Sequence, residues 1–135
     1  MDFYNISNHP STGWSKAQLD AARALGTTVV DVLFPNVPPT ATSKEVETLA
    51  WDTLELIPKK SVVMIQGEAS LAFAMVMCAH IKHIQVFVAT TERRVTETVN
   101  VDGKTVKTAT FEFVQFRDVL ACGSHAMNCL IQAGL

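Results

Sequence analysis

Apolar and polar positions follow two rhythms along this chain, one of strand–helix alternation and one of period two. DFYNIS, residues 2–7, has the character of a short strand. SKAQLDAARALG then places Ala17, Leu19, Ala21, Ala22 and Leu25 at roughly helical spacing, with Ser15 as N-cap and Gly26 as stop. TTVVDVLFP is β-branched and apolar, a second strand near 28–34 that Pro35 ends. PNVPPTATS holds too much proline for helix or central strand and predicts a stiff loop. SKEVETLAWDTLELI puts Val46, Leu49, Ala50, Leu54 and Ile57 on one helical face, starting at Ser43 with acidic residues from Glu45 to Glu47. SVVMIQG predicts a third strand over 61–66. EASLAFAMVMCAHIK is a third helix, apolar nearly all round and so covered on more than one side. HIQVFVATT predicts a fourth strand over 84–90.

Helices between successive strands are the signature of a parallel sheet with right-handed crossovers. After residue 92 the rhythm changes. RRVTETVNVDGKTVKTATFEFVQF alternates with period two on both sides of Asp102-Gly103, a pair favoured in tight hairpin turns. The tail, 119–135, is weakly helical. The expectation is one α/β domain over 1–135: a mostly parallel sheet, flanking helices and a C-terminal β-hairpin.

Composition narrows the function. At 135 residues the chain suits one domain with a real core, and 48% hydrophobic against 18% charged residues argues for a packed globule over a disordered segment. A net charge of -2 argues against general DNA or RNA binding, which needs a basic excess. Cys78, Cys122 and Cys129 are odd in number and fit no zinc spacing, so a reduced, cytoplasmic setting is expected. The start shows no secretory signal, and SLAFAMVMCAHI is too short to span a bilayer, so no membrane partner is expected. His80 and His83 have no third ligand nearby, and no metal site is expected. GxGxxG, P-loop and GxSxG motifs are all missing from the sequence.

In an open parallel sheet, ligands bind beyond the carboxyl ends of the strands. That edge would collect Asn8, His9, Ser11 and Thr12 after strand one, FPNVPP after strand two, Gly67 and Glu68 after strand three, and Thr90, Thr91, Glu92 and Arg93 after strand four. Each has a plainer explanation. Asn, Ser, Pro and Gly are ordinary turn residues, Gly67 suits a tight strand-to-helix turn, and Glu68 suits a helix N-terminus. His9 and the TTER run resist the plain explanation best. Histidine can move a proton near neutrality, and an arginine can grip a phosphate with two parallel hydrogen bonds.

In this order, NISNHP, FPNVPPTATSKEVETLA, VMIQGEASLAFAMV, VATTERR and FVQFRD resemble the small type III CRISPR-associated proteins predicted to be ring nucleases. These are similar in fold to CARF domains, the CRISPR-associated Rossmann-like sensors. The resemblance spans about residues 3–118 and leaves out the tail. It implies a Rossmann-like (CARF-like) fold and a homodimer joined over a two-fold axis. The implied ligand is a cyclic oligoadenylate, cyclic tetra-adenylate first among them. It implies antiviral signalling switched off by ring cleavage without metal or cofactor, through attack of a ribose 2′-hydroxyl on its neighbouring phosphate. The implied ligand loops are Asn8, His9, Pro10 and Ser11, and Thr90, Thr91, Glu92 and Arg93, joined by the QGE turn at 66–68. On that basis Arg93 would stabilise phosphate charge, and His9 would act as acid or base or only donate a hydrogen bond. Ser11, Thr90, Thr91 and the N–H groups at 67–69 would hold phosphate oxygens. Glu68 or Glu92 would bind an adenine amino group or a ribose hydroxyl. Two alternatives stay open: a sensor or sponge that binds the ring without cleaving it, and a small α/β protein for an unrelated nucleotide.

Overall fold

Strand β1 (Phe3–Ser7) lies between β2 (Val29–Leu33) and β3 (Val62–Ile65), parallel to both, with Ile6 opposite Val32 and Ile65. The computed structural model describes residues 1–134. Its single sheet runs β2-β1-β3-β4-β5, where β4 (Gln85–Val99) is parallel to β3 and β5 (Thr105–Asp118) closes an antiparallel hairpin. Helix α1 (Lys16–Leu25) covers one face. Helices α2 (Ser43–Glu55) and α3 (Ala69–Ile81) cover the other. The chain steps from β1 outward to β2, then returns past β1 to β3. That reversal puts a topological switch point between β1 and β3.

Alternation along the strands feeds two cores. Phe3, Val62, Met64 and Phe87 pack with Ala22 of α1 and with Trp14 and Phe116. Ile6, Val63, Ile65 and Val86 pack with Val46 and Leu54 of α2 and Leu71 and Met75 of α3. Fully burying a side chain of this size contributes about 1.5–3 kcal/mol. Gly26 ends α1 because α1 and β1 meet there: a Cβ would lie 2.7 Å from the Phe3 nitrogen.

The expected elements are present, with two differences. Helix α2 starts at Ser43 as expected, capped by Thr42, whose Oγ1 accepts from Glu45 N–H at 3.1 Å while Glu45 accepts from Thr42 N–H. Strand β4 does not stop at residue 90; Thr90–Arg93 are strand residues paired with β5, not a loop. The hairpin loop spans residues 100–104, closed by Gly103 N–H donating to Asn100 O at 2.9 Å, with Gly103 at φ 77°. Asp102-Gly103 is therefore the end of a longer turn. The tail is helical, α4 (Val119–Cys122) and α5 (Ser124–Gln132), and Leu135 lies outside the described residues.

His83 has a structural task between α3 and β4. It sits at φ 58°, the left-handed region that glycine tolerates best. His83→Gly is expected to raise the free energy of unfolding by up to about 1 kcal/mol in urea titrations, as backbone strain is relieved. A variant less stable than the parent would show that the ring makes a contact of its own.

Candidate functional site at the strand-end edge

The loop after β1 is held from below by two polar residues on the α1 side of that strand. Asn5, 1% exposed, donates from Nδ2 to His9 O at 2.8 Å and to Asp31 Oδ1 at 2.9 Å. Ser7 donates to Asn5 Oδ1 at 2.7 Å and accepts from His9 N–H at 3.1 Å. Asp31, on edge strand β2, also accepts from Ser11 N–H at 3.1 Å and from Ser11 Oγ at 3.1 Å. Every hydrogen-bonding group of the Asn5 amide is thus used, and the His9 backbone is tied at both its N–H and its carbonyl. The His9 ring is exposed and makes no hydrogen bond among the described residues.

A second carboxylate sits at the end of β3. Glu68 caps α3, with Oε1 accepting from Ser70 N–H at 3.1 Å and Oε2 accepting from Leu71 N–H at 2.9 Å and from Ser70 Oγ at 2.6 Å. These bonds, that of the Ser70 side chain foremost, hold the Glu68 carboxyl below its ordinary value of 4.5. Because the folded value is lowered, the cap's contribution is full above pH 4.5 and is lost as pH falls through the folded value. Protection factors at Ser70 and Leu71, taken against the intrinsic exchange rate at each pH, should therefore fall in that acid window, and in Glu68→Gln they should be low already at neutral pH. Unchanged protection in the variant would remove Glu68 as the cap.

Gly67 is needed for packing. A Cβ there would lie 2.5 Å from three ring atoms of Phe34, a buried residue of the loop after β2. Asn8, Glu68 and the segment Leu33–Val37 together bound a crevice of about 420 Å3 beside the switch point. Here the loops after β1, β2 and β3 meet. A larger cavity, about 590 Å3, lies between α2 and α3 against Trp51, Phe73, Met77 and Ile81. It reaches Ser70 at one end but is lined mainly by apolar helix side chains, whereas the crevice is bounded by the loops after three strands, so the crevice is the better candidate for chemistry.

The structure brings Asn8, Gly67 and Glu68 together, with His9 next to Asn8. It sets the others apart. Ser11 spends its N–H and hydroxyl on Asp31. Thr12 is exposed, in the short 3-10 turn Ser11–Gly13. Thr90 Oγ1 donates to Gln115 O at 3.0 Å and accepts from Gln115 N–H at 3.2 Å, stitching the β-bulge at Thr90/Thr91. Thr91 lines a different groove, beside Trp14 and Phe113. Glu92 lies within 3.5 Å of Arg94, which also binds Glu112 at 2.8 Å. Arg93 is exposed and lies four residues beyond Ala89, roughly 13 Å out along the hairpin at ~3.3 Å per residue. No carboxylate reaches it among the described residues.

Asn5, Ser7 and Asp31 are the site residues that sequence reasoning passed over. Their signal was two polar side chains at i and i+2 in a central strand, and one lone acid in the apolar run VVDVL. Among the described residues no three potential ligands gather to hold a metal ion, and no helix is long and apolar enough to cross a membrane. Burial pushes the Cys78 thiol up, with Glu47 adding to the effect, which suits an inert core residue.

Fold and crevice define a doubly wound α/β protein with a ligand-sized opening at its switch point. The chain belongs to the Uncharacterized protein MJ1673 family, whose profile matches residues 1–117. That match takes in all but the last residue of the five-stranded sheet. No curated protein and no solved structure matches the chain.

Proposed function

We propose that the protein binds a cyclic oligoadenylate at the strand-end edge and opens the ring there. The observation that carries this reading is the meeting of Asn8, Glu68 and Asn36 in one crevice at the switch point, with the exposed His9 following Asn8 in the same loop. The crevice suits one nucleoside of a larger ring. Phe34 and Val37 offer apolar contact to a base, and the amides offer hydrogen bonds to its edge. Glu68 accepts three hydrogen bonds from α3, and a carboxylate has about four acceptor sites, so one remains for a ribose hydroxyl or an adenine amino group.

Ring opening needs no redox partner. The ribose 2′-oxygen attacks the adjacent phosphorus, the bond from phosphorus to the 5′-oxygen breaks, and the products are a 2′,3′-cyclic phosphate and a 5′-hydroxyl. One proton leaves the 2′-oxygen and one reaches the 5′-oxygen. His9 is the group at this edge suited to move either. A positioned acid or base contributes about 10²–10⁴-fold in rate. A ring with two-fold symmetry is matched by a homodimer, the commonest assembly.

Binding without cleavage is the second reading. It is favoured by the two carboxylates, Asp31 and Glu68, that already take the loop and helix N–H groups, and by the lack of any lysine or arginine along the crevice. One assay separates the two. Labelled cyclic tri-, tetra- and hexa-adenylate are incubated with the protein in EDTA and the products resolved. Linear products at multiple turnover are expected, slowed about 100-fold by His9→Ala. A tight complex with the ring intact supports the second reading. No binding and no cleavage of any ring would overturn both. A comparable loss in Arg93→Ala would return that guanidinium to the reacting phosphate.

A further inference from the structure

The outer part of the hairpin leaves the body of the protein with two unlike faces. From Thr91 paired with Phe113 to Val99 paired with Thr105, nine residue pairs extend roughly 30 Å at ~3.3 Å per residue. One face carries Arg94 between Glu92 and Glu112, then Thr96, Thr98, Thr108 and Thr110, with Val106 its one large apolar side chain. This is an ordinary solvated surface. The opposite face carries Phe113, Phe111, Val95, Ala109 and Val99, with Arg93, Glu97 and Lys107 among them. Phe111 is 68% exposed, Val95 51% and Val99 72%. This apolar face grows directly out of the core. Phe113 stacks on Phe116 at 5.0 Å, and Phe116 on Phe3 at the same distance. At its base a groove of about 440 Å3 opens between α1 and the hairpin, against Trp14, Thr91 and Phe111.

We infer that this face is the contact surface for a second copy of the chain, the two hairpins lying face to face and antiparallel about a two-fold axis at the Val95–Ala109 pair. The inference does not depend on the ligand. It rests on the order of residues along the face. Arg93 and Glu97 stand at equal distances on either side of Val95, and Phe111 and Lys107 on either side of Ala109. In the antiparallel pair, β4 lies over β4. Arg93 then meets Glu97 of the partner subunit, and Phe111 meets the partner's Lys107. Each contact occurs twice. The guanidinium that lacks a carboxylate in one chain gains one in two. Phe111 gains a cation over its ring. Val95 meets its own symmetry mate, and the exposed turn enters the groove beside Trp14.

Size agrees with this arrangement. Ten side chains on a two-stranded face offer on the order of 800 Å2 to a partner, the area a stable pair buries on each side. A parallel pairing about an axis along the strands would instead drive the two α1 helices toward one another, since α1 lies on the same side of the sheet as this face. The long free edge of β5 is the competing surface.

Sedimentation equilibrium on the full chain is expected to give a dimer at micromolar concentration. Val95→Asp should raise its dissociation constant roughly 100-fold or more, because two unpaired carboxylates would meet at the axis. Thr98→Asp, on the opposite face, should remain dimeric. Both sites are exposed in the single chain, so circular dichroism should match the parent. Arg93→Ala and Glu97→Ala should each weaken the dimer about five-fold, and together no more than either alone. With Cys122→Ser and Cys129→Ser as background, a short bismaleimide should join Val95→Cys subunits and leave Thr98→Cys subunits unjoined. A monomeric parent protein would overturn the inference. So would a dimer or larger assembly that survives Val95→Asp, or one that cross-links at Thr98→Cys and not at Val95→Cys.

Discussion

Asn5→Leu is expected to lower the free energy of unfolding by about 3 kcal/mol and to release the loop that bears His9. The side chain is nearly isosteric but loses all three hydrogen bonds. Two were donated, one of them to the Asp31 carboxylate, and one was accepted from Ser7. A bond to a charged group contributes about 1.5–3 kcal/mol and a neutral one about 1 kcal/mol. The Ser7 hydroxyl retains His9 O as a weaker acceptor at 3.2 Å, which limits the penalty on that side. Urea titration measures the stability. Amide exchange at His9 and Ser11 measures the loop, and should rise well beyond the global change. A variant within about 1 kcal/mol of the parent, with the loop still protected, would mean that Pro10 and the 3-10 turn hold this segment without Asn5.

Gly67→Ala should cost about 3 kcal/mol, at the upper end of the range for overpacking. The added methyl meets three Phe34 ring atoms at once, so a small tilt of the ring cannot clear it. Phe34 is 4% exposed and walls the crevice, so the displaced ring should also change ligand affinity. A double-mutant cycle isolates the cause. Phe34→Leu removes ring volume, and in that background Gly67→Ala should cost less than about 1 kcal/mol. An equal cost in both backgrounds would place the penalty in the β3–α3 backbone.

Much of this architecture was legible in the chain. Helical and strand periods are local, so α1, α2, α3 and the first three strands could be placed to within a residue or two. The gathering of Asn8 and Glu68 at one edge followed from the alternation of elements, because successive crossovers bring the strand ends of a parallel sheet to one side. The strand order, and with it the switch point between β1 and β3, did not, since the same alternation is compatible with other orders. Helical character in the tail was also visible.

The hairpin strand was legible from residue 93 by its period of two, but its unbroken join to the fourth strand through residues 90–92 was not. TTE is polar throughout, and a short stretch exposed on both sides looks like a loop when taken alone. What makes it a strand is pairing with residues far along the chain, such as Thr91 with Phe113. The roles of single polar groups were equally hidden. Ser11 and the α3 N-terminus were expected to receive phosphate, and both face carboxylates of the same chain. Asp31 lies 20 residues from Ser11.

By itself, then, the sequence determined the alternation of elements, the parallel sheet and the edge at which the loops gather, since each is written in residues a few positions apart. Only the tertiary structure decided which donors at that edge are already taken, why Gly67 must lack a side chain, and that Arg93 stands on an extended arm. Those outcomes depend on contacts between distant segments, where a hydrogen bond or a clash is settled within a few tenths of an ångström.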